Sequence, residues 1–294
     1  MKSEKVNNLN YSETIGAPLV IIGGAEDKYN ERLILRKFLE LAGKKKASIL
    51  IIPIASDFPE MAAETYRKIF KALGTKDIVD LQASTRKEAM EIDAEKLLDG
   101  VTGIFISGGD QMRLSTILGG TKFAQILKKR VREGGIVLAG SSAGAAGLST
   151  SMIVRGKSSM HPQKDAIRLS PGLGILREII IDQHFSERTR LNRLITAVCY
   201  NPRNLGIGID ENTATVISRD GVLEVIGSGT VTIVDGSEIS FTNMADVAPT
   251  EPFAVADLKV HILTNGSQFN IFSRQPIHSD YDQASTDTEK DTTD

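Results

Sequence analysis

The chain has 294 residues, 41% of them hydrophobic, with 35 lysines and arginines against 37 acids and a net charge of −2. Length allows one large α/β domain or two smaller ones, and the balanced charge excludes the clustered basic surplus of a nucleic-acid-binding protein. The single cysteine, Cys199, excludes an internal disulfide framework and fits a reducing compartment. The polar first residues lack a signal-peptide core, and no apolar run reaches the roughly 20 residues that span a bilayer. The expectation is a soluble cytoplasmic protein, with neither membrane nor nucleic acid as a partner.

Residues 1–16 are polar and aperiodic, and His278 to Asp294 is acidic and almost free of apolar residues. Neither can offset its ordering entropy by burial, so both read as disordered tails around one folded unit over 17–276. Leu19 to Ile22 is a short apolar strand ending in Gly23-Gly24. Asn30 reads as the N-cap of a helix with Leu33, Ile34, Phe38 and Leu41 on one face, stopped by Gly43. A buried strand follows over Ser48 to Ile54, then a helix from about Glu60 to Leu73, a strand over Ile78 to Leu81 and helix to about Leu98. The strand Val101 to Ser107 ends in Gly108-Gly109-Asp110-Gln111 and precedes a helix around Phe123 to Arg132. Further apolar runs lie at Ile136 to Gly140, Glu178 to Asp182 and Leu205 to Asp210. This alternation predicts an α/β fold with a mostly parallel, doubly wound sheet. Beyond Asp210, a hairpin with its turn at Asp220-Gly221 and later short strands predict an antiparallel extension of that sheet.

The sharpest motif is Gly140-Ser141-Ser142-Ala143-Gly144, where a strand runs directly into a turn and a helix start made of small residues. Such a G-x-S-x-G context suits a nucleophilic serine, because only small neighbours let strand and helix approach across a strained turn. Ser142 stands at the motif's centre, with Ser141 the neighbouring alternative. The N–H of Ala143, at the helix N-terminus, would face an oxyanion.

A serine nucleophile needs a base, and the chain has four histidines. His278 falls in the tail and His261 in a late strand. His161 lies in the irregular stretch after the motif, whereas His184 closes a strand at the sheet edge where Ser142 is expected, which makes it the favoured general base. A carboxylate should orient it. Glu211, Asp182 and Asp210 all compete, and the residues alone do not rank Glu211 above Asp182.

After His184, Arg188, Arg190 and Arg193 cluster at a predicted helix start. Arginines there oppose the helix dipole but make a good site for carboxylates, which implies an acidic substrate. Of the two glycine-rich turns, Gly23 to Asp27 reads as structural, while Gly108 to Gln111 could present a backbone N–H to an oxyanion and Gln111 to substrate. Neither matches a phosphate-binding loop, and no metal or cofactor site is readable.

Together, GGAED (23–27), GGDQ (108–111), GSSAGAA (140–146), DQHF (182–185), R-x-R-x-x-R (188–193) and GIGIDENTA (206–214) resemble the cyanophycinase family of serine peptidases, in order over roughly residues 17 to 275. That family also contains aspartyl dipeptidases, and its fold is similar to that of class I glutamine amidotransferases, a flavodoxin-like architecture. The resemblance implies Ser142 as nucleophile, His184 as base and Glu211 as the third member, with Gly109 and Ala143 as oxyanion donors. It implies substrate contacts from Gln111, Asp182, Gln183, Arg188, Arg190 and Arg193, a homodimer, and no cofactor. The implied substrate is cyanophycin, a polyaspartate backbone with arginine on each side-chain carboxylate. A dipeptidase for short aspartyl or isoaspartyl peptides, or a non-catalytic module binding acidic peptides, are the alternatives.

Overall fold

The structure, a computed structural model, describes residues 15–156 and 158–277. Its elements in chain order begin with β1 (Leu19–Ile22), α1 (Leu33–Leu41), β2 (Ser48–Ile52), α2 (Pro59–Ala72), β3 (Asp77–Asp80), α3 (Arg86–Glu91) and α4 (Ala94–Leu97). Then come β4 (Gly103–Ile106), α5 (Gln111–Leu118), α6 (Lys122–Glu133), β5 (Val137–Ser141), α7 (Ala143–Ala146), β6 (Ser151–Gly156), β7 (Ile167–Pro171), β8 (Ile179–Gln183) and α8 (Leu191–Tyr200). The rest is strand: β9 (Leu205–Ile209), β10 (Thr213–Ile217), β11 (Val222–Gly227), β12 (Val231–Asp235), β13 (Phe241–Thr242), β14 (Val255–Ala256), β15 (Lys259–Leu263), β16 (Gln268–Asn270) and β17 (Gln275–Ile277).

The main sheet has nine strands in the order β17-β16-β11-β10-β1-β5-β4-β2-β3. The run from β1 to β3 is parallel, and β10, β11, β16 and β17 extend it antiparallel. β1, β4 and β5 are fully buried, which is why they read as unbroken apolar runs rather than alternating ones. One face packs on α1 and α2 through Ile34, Phe38, Tyr66 and Phe70, with Phe105 between them. The other face packs on α5 and α6 through Leu114, Phe123 and Leu127.

A second sheet departs from the expectation of one continuous sheet. β8 and β9 leave the main sheet and form a four-stranded unit, β15-β12-β9-β8, in which only the β8–β9 pair is parallel. The reason is edge occupancy: β1 already has β5 on one side and β10 on the other, so β8 has no place beside it. One face of this unit joins the core shared with α5 and α6, and the other packs on α8 and on the β6–β7 hairpin.

Three local expectations are corrected. Ile15 is buried in the core, so the packed chain includes residues assigned to the N-terminal tail; the other tail residues, 1–14 and 278–294, lie outside the described residues. α1 begins at Leu33 rather than after Asn30, because the Asp27 carboxylate takes the N–H groups of Tyr29, Asn30 and Arg32 and holds that stretch as a loop. Those three bonds keep its carboxyl well below the usual range, and Leu33 is consequently exposed while Leu35 and Leu39 join the core. Finally, α8 starts at Leu191, since Thr189 has a left-handed φ of 50° that no helix accommodates. Arg188 and Arg190 therefore precede the helix, and only Arg193 sits in its first turn.

Candidate active site

β5 ends at Ser141, and Ser142 turns the chain into α7 with φ 51° and ψ −112°. A non-glycine residue there is strained by about 1–3 kcal/mol and needs neighbours that hold it. The turn closes only because Gly144 has no side chain: a Cβ would lie 2.4 Å from the carbonyl oxygen of Ile106. Ser142 Oγ lies 2.8 Å from His184 Nε2, and His184 Nδ1 lies 2.6 Å from Glu211 Oε1. With Glu211 ionised, Nδ1 carries the proton and donates, which leaves Nε2 free to accept from the serine hydroxyl.

The two sheets deliver these groups to one place. His184 follows β8 and Glu211 follows β9, the parallel pair of the second sheet, whereas Ser142 follows β5 of the main sheet. The seam is closed by the His184 N–H donating to Gly23 O at 2.9 Å.

The competing residues are engaged elsewhere. Asp182, 1% exposed, accepts from Arg193 Nε at 2.6 Å, from a second Arg193 nitrogen and from Arg190 at 3.4 Å. Asp210 receives the Ser186 N–H at 3.0 Å and both donors of Thr230. Burial opposes its ionisation, but the bonds from Ser186 and Thr230 outweigh it and hold its carboxyl below the usual range. Ser141 Oγ points away from His184 and donates to Glu26. His161 lines the cleft beside Ser142, but the serine hydroxyl bonds to His184.

Ser142 opens into a cleft of about 990 Å³ that Gly109, Gln111, Gln183, Arg188, Arg190 and Arg193 also line. Asp182 does not line it: it sits behind Arg190 and Arg193 and fixes them, so it reaches the cleft only through them. Arg190 also donates to the backbone and side-chain oxygens of Gln183. Burial pulls its pKa down from the ordinary arginine range to about 10, with Asp182 opposing and Arg193 adding to the shift. Arg188 is exposed at the rim. Gln111 donates its amide to Ile153 O at 2.8 Å. Ala143 opens α7, so its N–H has no intrahelical acceptor. α7 is a single turn, however, and the helix dipole expected there is correspondingly small.

Two groups of residues escaped the sequence reading. The β6–β7 hairpin brings Arg155 and Arg168 to the cleft, and nothing in its sequence signals that position. Glu26, 3% exposed, lies behind the serine turn with Tyr66 and Ser141; an acidic residue in the glycine-rich turn after a buried strand was the only available sign. Among the described residues no group of three or more His, Cys, Asp or Glu side chains is placed to hold a metal ion. No helix among them is long and apolar enough to cross a membrane.

An α/β scaffold that sets serine, imidazole and carboxylate in series beside a cation-lined cleft is the arrangement of a serine hydrolase, and the sequence match narrows the class to a serine-type peptidase. Residues 19–225 match the model of Peptidase family S51, and the chain belongs to that family. It is 43% identical over 256 residues to a cyanophycinase of Nostoc sp., covering 87% of this chain and 86% of that one. To a cyanophycinase of Geminocystis herdmanii it is 42% identical over 259 residues, covering 88% and 95%. The crystal structure of a peptidase from an acI-B1 Actinobacterium matches with a TM-score of 0.63 at 22% identity, over 89% of this chain and all of the other, and shares the fold.

Proposed function

We propose that this peptidase hydrolyses cyanophycin to β-Asp-Arg dipeptides through an acyl-enzyme on Ser142. The observation that carries the reading is the unbroken series Ser142–His184–Glu211, at 2.8 and 2.6 Å, whose serine lines an arginine-rich cleft. His184 Nε2 takes the hydroxyl proton as Ser142 Oγ attacks the backbone carbonyl of the polymer. The resulting oxyanion accepts from the N–H groups of Gly109 and Ala143. Collapse breaks the C–N bond, and the imidazolium returns the proton to the leaving amine. Water, deprotonated by the same nitrogen, then releases the acyl group. Glu211 keeps the Nδ1 proton in place and stabilises the imidazolium throughout.

The polymer carries a free carboxylate and a guanidinium on every arginine. Arg188, Arg190 and Arg193 suit the carboxylates, with Gln111 and Gln183 as neutral partners. The cleft volume is at the upper end of the roughly 300–1,000 Å³ usual for ligand sites, which favours a long substrate over a dipeptide. The relatives named as cyanophycinases support the same substrate. The reading includes a homodimer working in the cytoplasm, checked by light scattering and by fractionation of the host cell.

The test is release of β-Asp-Arg from purified cyanophycin by wild type and by Ser142→Ala. Release by wild type alone supports substrate and nucleophile together. Turnover by folded Ser142→Ala sinks the mechanism.

A further inference from the structure

The end of β1 and the segment after it, which the sequence suggests is only a turn, hold the backbones of Ser142, His184 and the residue that follows Glu211. Ile22 O accepts the Ser142 N–H at 3.0 Å, Gly23 O accepts the His184 N–H at 2.9 Å, and Gly24 O accepts the N–H of Asn212, next to Glu211, at 2.9 Å. Asp27 N–H then donates to Asn212 Oδ1 at 2.9 Å. Between these contacts Glu26 turns its carboxylate inward. Ser141 Oγ donates to Glu26 Oε2 at 2.6 Å, Tyr66 OH donates to Glu26 Oε1 at 2.5 Å, and Lys28 Nζ lies 3.0 Å from Glu26 Oε1. Burial, then the charge on Glu26, pushes the Tyr66 phenol well above its ordinary range and keeps it a donor.

A buried carboxylate is costly unless it is paired and hydrogen-bonded, so a purely structural tie between two strand ends would be made more cheaply by a neutral residue. What the charge adds is strength, since a hydrogen bond to an ionised acceptor is about twice as strong as a neutral one. That strength is applied at Ser141, one residue from the strained Ser142, whose own hydroxyl is engaged with His184 and cannot anchor its backbone.

We propose that Glu26 is a positioning residue of this site: its carboxylate, fixed by Tyr66 and Lys28, grips Ser141 and thereby holds the Ser142 hydroxyl where His184 can take its proton. The inference rests on Ser142 being the nucleophile, and the test separates the two ideas.

The rate at which a fluorophosphonate labels Ser142 is measured in wild type, Ser141→Ala, Glu26→Gln and the double variant, alongside kcat and KM on cyanophycin. Each single variant is expected to label about 10- to 100-fold more slowly, with kcat falling by the same factor and KM within about twofold. The double variant is expected to be no slower than the slower single one, because both changes cut the same link. A merely structural Glu26 would lower the unfolding midpoint without slowing the labelling of folded protein. Single variants that label at the wild-type rate, or losses that multiply in the double variant, overturn the proposal. If Glu26→Gln does not fold, Ser141→Ala decides alone. A folded wild type that never labels refutes the nucleophile assignment instead.

Discussion

Gly24 shows how little room the His184 ring has. A Cβ on Gly24 would lie 2.5 Å from His184 Cε1 and 2.6 Å from Nε2, at a position whose φ is +106°. Gly24→Ala should therefore push the imidazole off Ser142 and lower kcat by about 100-fold, with the fold retained by circular dichroism. Glu211 acts on the other side of the same ring. Glu211→Gln offers an uncharged partner to Nδ1, so kcat should fall by roughly 10²- to 10⁴-fold while KM stays close to wild type. Steady-state kinetics on the polymer checks both, and a KM effect without a kcat effect would count against the proposed roles. That Ser142 and His184 would lie close together was legible in the sequence, because each is placed by a recognisable apolar strand. Glu211 was not distinguished from Asp182 by its own surroundings. The family resemblance singled it out, and its 2.6 Å contact with His184 joins residues 27 positions apart, a distance that local surroundings do not record.

Asp182, near the end of β8, and Asp210, just after β9, both hold elements together. Asp182 neutralises two buried arginines at the start of α8. Its replacement by Ala leaves uncompensated buried charge, and the expected loss is about 3–5 kcal/mol in urea unfolding. Cleft binding should weaken as well, since Arg190 and Arg193 lose their anchor. Asp210 ties the end of β9 to Ser186 and to Thr230 before β12. Asp210→Asn should cost about 1–3 kcal/mol near neutral pH, because a carboxamide cannot accept at every site the carboxylate fills. The wild-type carboxyl titrates below its usual value, so its contribution is present above about pH 4 and is lost as pH falls through the depressed folded value. Thermal melts of the two proteins should converge in acid, and a gap that widened there would contradict the assignment.

At the scale of the whole molecule, a net charge of −2 gives no long-range attraction for an acidic ligand. The cations that line the cleft must supply it locally. Arg188 is exposed at the rim, so its contribution is open to salt, whereas Arg190 and Arg193 are buried and shielded from it. KM for the polymer is expected to rise with ionic strength while kcat stays constant, and Arg188→Ala should remove most of that dependence. A salt response unchanged in Arg188→Ala would place the attraction elsewhere, with Arg155 and Arg168 of the hairpin next in line.

The chain itself determined the elements and their order. Unbroken apolar strands, amphipathic helices and the hairpin at Asp220-Gly221 are local patterns, set by burial periodicity and turn chemistry. The small residues around Ser142 are equally local, because they answer the steric demand of one tight turn. The partition into two sheets was decided only in three dimensions. Which strand sits beside β1 depends on edges already taken by β5 and β10, and no residue of β8 records that competition. The partner of each carboxylate was decided there too, with Glu211 on His184, Asp182 on Arg190 and Arg193, and Glu26 on Ser141. A carboxylate's sequence neighbours do not specify which distant donor will reach it. For the buried Asp182 and Glu26, desolvation on packing makes that pairing compulsory, and the geometry of the packed strand ends then selects the donor.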